Sequence, residues 1–166
     1  MARQVSALFK DWKATEPEHN WRDEWALRWK SLLMDYQSRG WKMIPIPSCK
    51  KAPPPVNWDE DTYDINYLYR HATEKKGNIA IVAGPSNLLI YEFDGKVAPP
   101  KVEGARRLST PNGWALFLPN PISERLDKEL RAVPSFDTVR FDIMYQLVPL
   151  SQTFDDNGQL KVREWV

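Results

Sequence analysis

Two apolar runs sit almost back to back in this chain: Asn78-Ile79-Ala80-Ile81-Val82-Ala83-Gly84 and Leu88-Leu89-Ile90-Tyr91-Glu92-Phe93-Asp94. Each has the length of a strand and is rich in β-branched, aliphatic or aromatic residues. Pro85-Ser86-Asn87 between them reads as a turn. A short connection between two strands predicts an antiparallel hairpin. The second run ends on acids. Residues two apart on a strand point to the same face, so Glu92 and Asp94 lie side by side and Phe93 points the other way. Two neighbouring carboxylates repel unless something cationic sits between them. Mg²⁺ or Mn²⁺ does this well, because hard divalent ions prefer carboxylate oxygen. The plainer alternative is a strand end rolling into a polar turn at Gly95.

Outward from this pair the pattern alternates between short strands and turns. Trp41 to Pro47 reads as a strand closed by proline. Thr110-Pro111-Asn112-Gly113 is a turn, followed by a strand over Trp114 to Leu118. Thr138 to Met144, Tyr145 to Leu150 and Lys161 to Val166 also read as strands. Asp155-Asp156-Asn157-Gly158 is a hairpin-type turn before the last. Helices are expected over Asp59 to Lys75, with Tyr63, Leu68 and Tyr69 as apolar anchors and Gly77 as the stop. A short one follows over Ser123 to Arg131, with Ser123 as N-cap. Lys96 to Arg107 reads as polar loop.

The N-terminal part reads as helical from Val5 to about Tyr36, broken near Glu16-Pro17 because the residue before proline avoids the α region. Its second segment, capped by Asn20, carries Trp21, Trp25, Trp29, Leu32, Leu33 and Tyr36 along one face. Stacked indoles can be a platform for bases. The ordinary use of such a stripe is to face a core. Gly40 can supply the left-handed residue that ends the helix. The sum is an α+β fold, with N-terminal helices and then a mainly antiparallel sheet. Residues 1–35 form a helical extension packed on a core spanning 36–166.

The chain has 166 residues, with 23 Lys and Arg against 22 Asp and Glu, a formal net charge of +1. Binding nucleic acid by bulk charge is excluded, so any such site must be a local patch. Lys50-Lys51 and Arg106-Arg107 are basic pairs of the kind phosphate contacts need, although surface basic residues are mostly just solvated. Cys49 is the only cysteine, and His19 and His71 the only histidines. That excludes an internal disulfide, a cysteine-built zinc site and a histidine-only metal site. His71 falls within a helix and reads as structural. No apolar run is long enough to span a membrane, and the N-terminus lacks a signal-peptide core. The expectation is a cytoplasmic protein in a reducing compartment, with no membrane partner. Asp142, between Phe141 and Ile143, could be a third carboxylate; Asp137, five residues earlier, competes for that role. Three carboxylates around two metals is the logic of phosphoryl transfer to a nucleotide.

Taken in order, these segments resemble the N-terminal prim-pol domain of bifunctional DNA primase/polymerases, in the archaeo-eukaryotic primase superfamily of plasmid, viral and phage replication proteins. The residues that carry it are Tyr36-x-x-x-Gly40-Trp41-x-x-Ile44-Pro45-Ile46, Lys51-Ala52-Pro53, Trp58 and the two runs 78–84 and 88–94. Thr110-Pro111-Asn112-Gly113 resembles the family's "TPxGG" turn. Val148-Pro149-Leu150-Ser151 resembles its "APPS" segment, and Glu164-Trp165 its closing "YEW". The likeness covers about 36–166.

The resemblance implies an RRM-like primase/polymerase core and a nucleotidyltransferase that builds or extends primers on a single-stranded DNA template from nucleoside triphosphates. It implies Mg²⁺ or Mn²⁺ held by Glu92, Asp94 and Asp142, with Asp137 as the alternative third acid. Lys51, Arg106, Arg107, Asn112 and Gly113 would then contact nucleotide or DNA. A helicase or another replication protein is an expected partner. Two departures stand out. Ala115 falls where the family places a histidine that contacts the incoming phosphates, and the turn at Gly113 is one glycine short. Three readings therefore stand side by side. They are an active primase/polymerase, a catalytically impaired module that binds DNA or nucleotide in a replication complex, and an unrelated α+β interaction domain.

Overall fold

The run Ile79–Val82 is buried on both faces, and this decides how the chain is layered. A computed structural model describes residues 21–166; the expected helical segment before Trp21 lies outside the described residues. β1 (Lys42–Ile46), β2 (Asn78–Val82) and β7 (Tyr145–Leu147) form a three-stranded antiparallel sheet with β2 in the middle. β3 (Leu88–Asp94), β4 (Arg106–Thr110), β5 (Gly113–Pro119), β6 (Phe136–Arg140) and β10 (Glu164–Trp165) form a second, in the order β10-β4-β5-β3-β6. β8 (Gln152–Phe154) and β9 (Leu160–Val162) make a separate hairpin. All the pairings are antiparallel, so the α+β class expected from the sequence is the observed one.

The hairpin expected between residues 78–84 and 88–94 is not there. β2 pairs with β1 and β7, whereas β3 pairs with β5 and β6. The physical reason lies in β2 itself. Ile79 and Ile81 enter one apolar cluster while Ala80 and Val82 enter another, so this strand needs cover on both faces. The chain therefore steps from one sheet to the next through a 3₁₀ turn at Gly84–Ser86. Asn87 closes that turn in the left-handed region at φ 53°. The Ala83 and Gly84 N–H groups donate to Met144 and Asp142 carbonyls, which ties the step to the β6–β7 connection.

Helix α1 (Trp21–Ser38) lies against the five-stranded sheet. Trp29, Leu33 and Tyr36 are buried and Trp25 and Leu32 pack beside them, so this part of the aromatic stripe is core. Gly40, at φ 71°, ends the helix: its N–H reaches the Gln37 carbonyl and the Trp41 N–H reaches that of Tyr36. That pair of bonds is a Schellman cap, which needs a left-handed residue and so favours glycine. Tyr36 stacks on Trp41 and accepts from Trp165 Nε1 at 3.2 Å.

Helix α2 (Ile65–Thr73) is shorter than the 59–75 expected, because Asp64 caps it by accepting from the Asn66 and Tyr67 N–H groups. Helix α3 (Glu124–Arg131) is capped by Ser123 and covers the far face of the five-stranded sheet. His71 has a structural place, with Nε2 2.8 Å from the Ile46 carbonyl. β4 stands where loop was expected: Leu108 is its one buried residue, so Arg106-Arg107-Leu108-Ser109-Thr110 has no apolar alternation to read. The last stretch is two short strands, β9 and β10, with buried Arg163 between them.

Candidate functional site

The register of the five-stranded sheet sets one row of side chains across its α1-facing side. Leu108 is level with Ala115, Ala115 with Glu92, and Glu92 with Thr138. One step along, Arg106, Phe117, Ile90 and Arg140 form the next row. Asp94 and Gly113 pair at the strand ends, where β3 runs out of the core. Glu92 and Asp94 therefore share a face, and Ala115 stands beside Glu92, fully buried among apolar neighbours.

Glu92 is not free. Its Oε2 accepts from both Nε and Nη2 of Arg140, at 3.1 and 2.7 Å. Its side chain is 11% exposed and that of Arg140 28%, so this ion pair is largely shielded from water. Arg163, 2% exposed, lies close enough to feel both charges. Burial pulls the Arg163 guanidinium down to about 10, Glu92 opposes that and Arg140 adds to it. Arg163 Nη1 donates to Thr153 Oγ1 at 2.7 Å, and its Nε has no partner among the described residues. Sequence reading missed Arg140 and Arg163. No sequence signal marked Arg140: only the register of β6 on β3 brings it diagonal to Glu92.

Asp94 differs from Glu92. It is exposed, and partial desolvation, then Glu92, then Asp137 push its carboxyl above the usual aspartate range, while Lys51 pulls it back. Asp137 is brought near because β6 bulges: Thr138 pairs with Glu92 but Phe136 with Phe93, which leaves Asp137 unpaired between them. An open cleft of about 840 Å³ begins at Asp94. Lys96, Ser109, Thr110, Asn112, Trp114 and Asp156 line it. Asn112 Nδ2 donates to Asp156 at 3.2 Å, and the Asn112 carbonyl accepts from the Gly95 N–H. Thr110 Oγ1 is buried with no partner among the described residues.

A raised aspartate binds protons more readily in the folded chain than in the unfolded one, so its ionisation opposes folding as pH rises. Asp94→Asn should therefore stabilise the domain at neutral pH. The gain should vanish as pH falls below the ordinary aspartate value, where both states are protonated. Denaturation midpoints across that range check this; a gain that persists at low pH would contradict it.

Of the residues singled out from sequence, Glu92, Asp94, Lys51, Asn112 and Gly113 gather around the end of β3. Asp142 does not. It lies in the β6–β7 turn at φ 52°, not in a strand, and its carbonyl accepts from Gly84 just before β3 begins. Six strand residues separate that level from Asp94, or about 20 Å of extended chain. Arg106 is taken up elsewhere: it pairs with Asp35 at 2.8 Å and lies 4.2 Å from the Trp165 ring centre. Arg107 points to the opposite face and lies over Trp114 at 5.5 Å.

Among the described residues no three Asp, Glu, His or Cys side chains are grouped so that they could hold a metal ion. With Glu92 already engaged by a guanidinium, the residues as folded do not match a two-metal centre. What the arrangement can do is bind: a polar cleft and nearby Lys51 suit a phosphorylated ligand. No described helix is long and apolar enough to cross a membrane.

Comparison with known proteins bears out the family resemblance. The family model for bifunctional DNA primase/polymerase, N-terminal, matches residues 33–166. A search of curated proteins finds no match.

Proposed function

Because the chain belongs to the family of N-terminal domains of bifunctional DNA primase/polymerases, we propose that it serves replication as a module binding nucleotide and single-stranded DNA, with little nucleotidyl transfer of its own. The family's function is of the DNA primase/polymerase type, and its domains generally depend on divalent metal. One observation carries the reading: the Glu92 carboxylate is held by Arg140, and its neighbour on β5 is Ala115. One carboxylate of the acidic pair is therefore engaged, and no phosphate-contacting side chain stands beside it on β5.

Binding falls to the cleft. Exposed Lys51, near enough to act on Asp94, offers a cation for phosphate, and the Asn112-Gly113 turn offers polar contacts at the cleft wall. Arg107 and Trp114 present a cation and an aromatic face on the opposite side of the same sheet end. The setting would be a plasmid, viral or phage replication complex, with a helicase or similar protein beside it. Nucleotide and single-stranded DNA binding should weaken with rising salt, since it rests on phosphate contacts. Lys51→Ala should weaken it about three- to tenfold, the size of one phosphate contact, in fluorescence anisotropy.

A second reading, an active two-metal nucleotidyltransferase using Mg²⁺ or Mn²⁺, is favoured by Asp94. Its carboxyl is raised in part by Glu92 and Asp137, a gathering of negative charge that a divalent cation would relieve. Primer synthesis and extension on a single-stranded template with either metal separates the two. The binding reading expects no product above that of the Glu92→Ala, Asp94→Ala double variant. Product well above that control would sink it and establish the second.

A further inference from the structure

We propose that the Arg140 guanidinium, backed by buried Arg163, is the resident counter-charge of the acidic pair, so that the pair takes up no divalent ion while Arg140 is in place. This rests on reading Glu92 and Asp94 as the family's acidic pair, and it names what has replaced the metal there.

The geometry is built from the sheet. Thr138 is level with Glu92 and Arg140 with Ile90, so Arg140 is the diagonal neighbour of Glu92 on the same face. A long side chain from that position reaches Glu92 without leaving the sheet surface. Both of its bonds go to a single oxygen, Oε2.

At Glu92 itself the cations are already in place, while Asp156 adds to the negative charge around Asp94. Glu92, Asp94 and Asp137 supply the negative side, and Arg140, Arg163 and Lys51 interact with them. A divalent ion brought to Glu92 would meet the Arg140 guanidinium at contact range and also feel the Arg163 charge, in a partly dehydrated setting where such repulsion is only weakly screened. The fold keeps Arg163 in place independently, through its backbone bonds to Leu150 and Ser151 and its side-chain bond to Thr153. Thr138, level with Glu92, offers a hydroxyl and no third carboxylate on that row.

The test is a Mn²⁺ titration of the whole chain, followed by the loss of the free-ion electron paramagnetic resonance signal. The wild type should show no saturable binding up to millimolar Mn²⁺. Arg140→Gln, verified as folded by circular dichroism, should bind saturably and at least about tenfold more tightly, because a charge at contact distance has been removed. Adding Asp94→Asn to that variant should abolish the gain. Arg140→Lys keeps the charge and should remain without binding. Saturable wild-type binding that Asp94→Asn removes would overturn the proposal and needs no other variant; so would a folded Arg140→Gln with no gain. Neither result bears on DNA binding, which is measured without Mn²⁺, so a failure here is distinct from a failure of the binding reading.

Discussion

Gly113→Ala should be among the most damaging single substitutions in this domain. A Cβ at Gly113 would lie 1.9 Å from the Phe93 carbonyl oxygen and 3.1 Å from the Asp94 Cα, both backbone atoms. Neither can rotate away as a side chain could. Gly113 is thus required for close approach of β5 to β3, and not for an unusual backbone angle. Relief demands that the two strands part where Asp94 pairs with Gly113, which disrupts the ladder and the cleft wall together. The expected loss is about 3 kcal/mol or more, in the range of strained and overpacked sites. Urea denaturation measures it. A loss below about 1 kcal/mol, the size of an ordinary substitution, would show that the strands accommodate the methyl group.

The second large effect is expected at Glu92→Ala. Removing one partner of a shielded ion pair leaves the other charge uncompensated, typically at a cost of about 3–5 kcal/mol. Arg140 can turn partly toward solvent, which lowers the figure toward about 3 kcal/mol. Arg163 cannot, since it is 2% exposed and fixed on Thr153. Combining Glu92→Ala with Arg163→Met should therefore recover part of the loss, because the stranded buried charge goes as well. A double-mutant cycle by denaturation reads this directly. Simple addition of the two single losses would mean that Glu92 and Arg163 are not coupled.

These two sites also show which features a sequence reveals. Glu92 and Asp94 were readable because strand parity is local: seven residues suffice to place both on one face. The core stripe Trp25, Trp29, Leu32, Leu33 and Tyr36 was readable for the same reason at helical spacing. The predicted hairpin failed because a short connector says nothing about which sheet the next strand joins. That depended on β2 needing cover on two faces, a property of the surrounding layers. β4 was hidden because only Leu108 among its five residues is buried.

The misplacement of Asp142 has a similar origin. Apolar neighbours on both sides suggested a strand, but Phe141 and Ile143 are both exposed in the turn. Arg140 and Arg163 could not be identified from their own surroundings. Arg140 reaches Glu92 across 48 positions of sequence, and only the register of β6 on β3 shows that they meet. The chemistry of the acidic pair is thus set by residues whose local sequence gives no hint of it.

The contact between Tyr36 and Trp165 joins residues 129 positions apart. Bringing them together closes almost the whole described chain into one loop. The entropic cost of closure rises only logarithmically with length, but folding slows when native contacts are distant in sequence. Trp165 also packs on Phe117 and needs β4 as its pairing partner, so its place exists only after β4 and β5 have met. The seat of this indole thus depends on strands far from it in sequence, and it acts as a latch on the sheet they form.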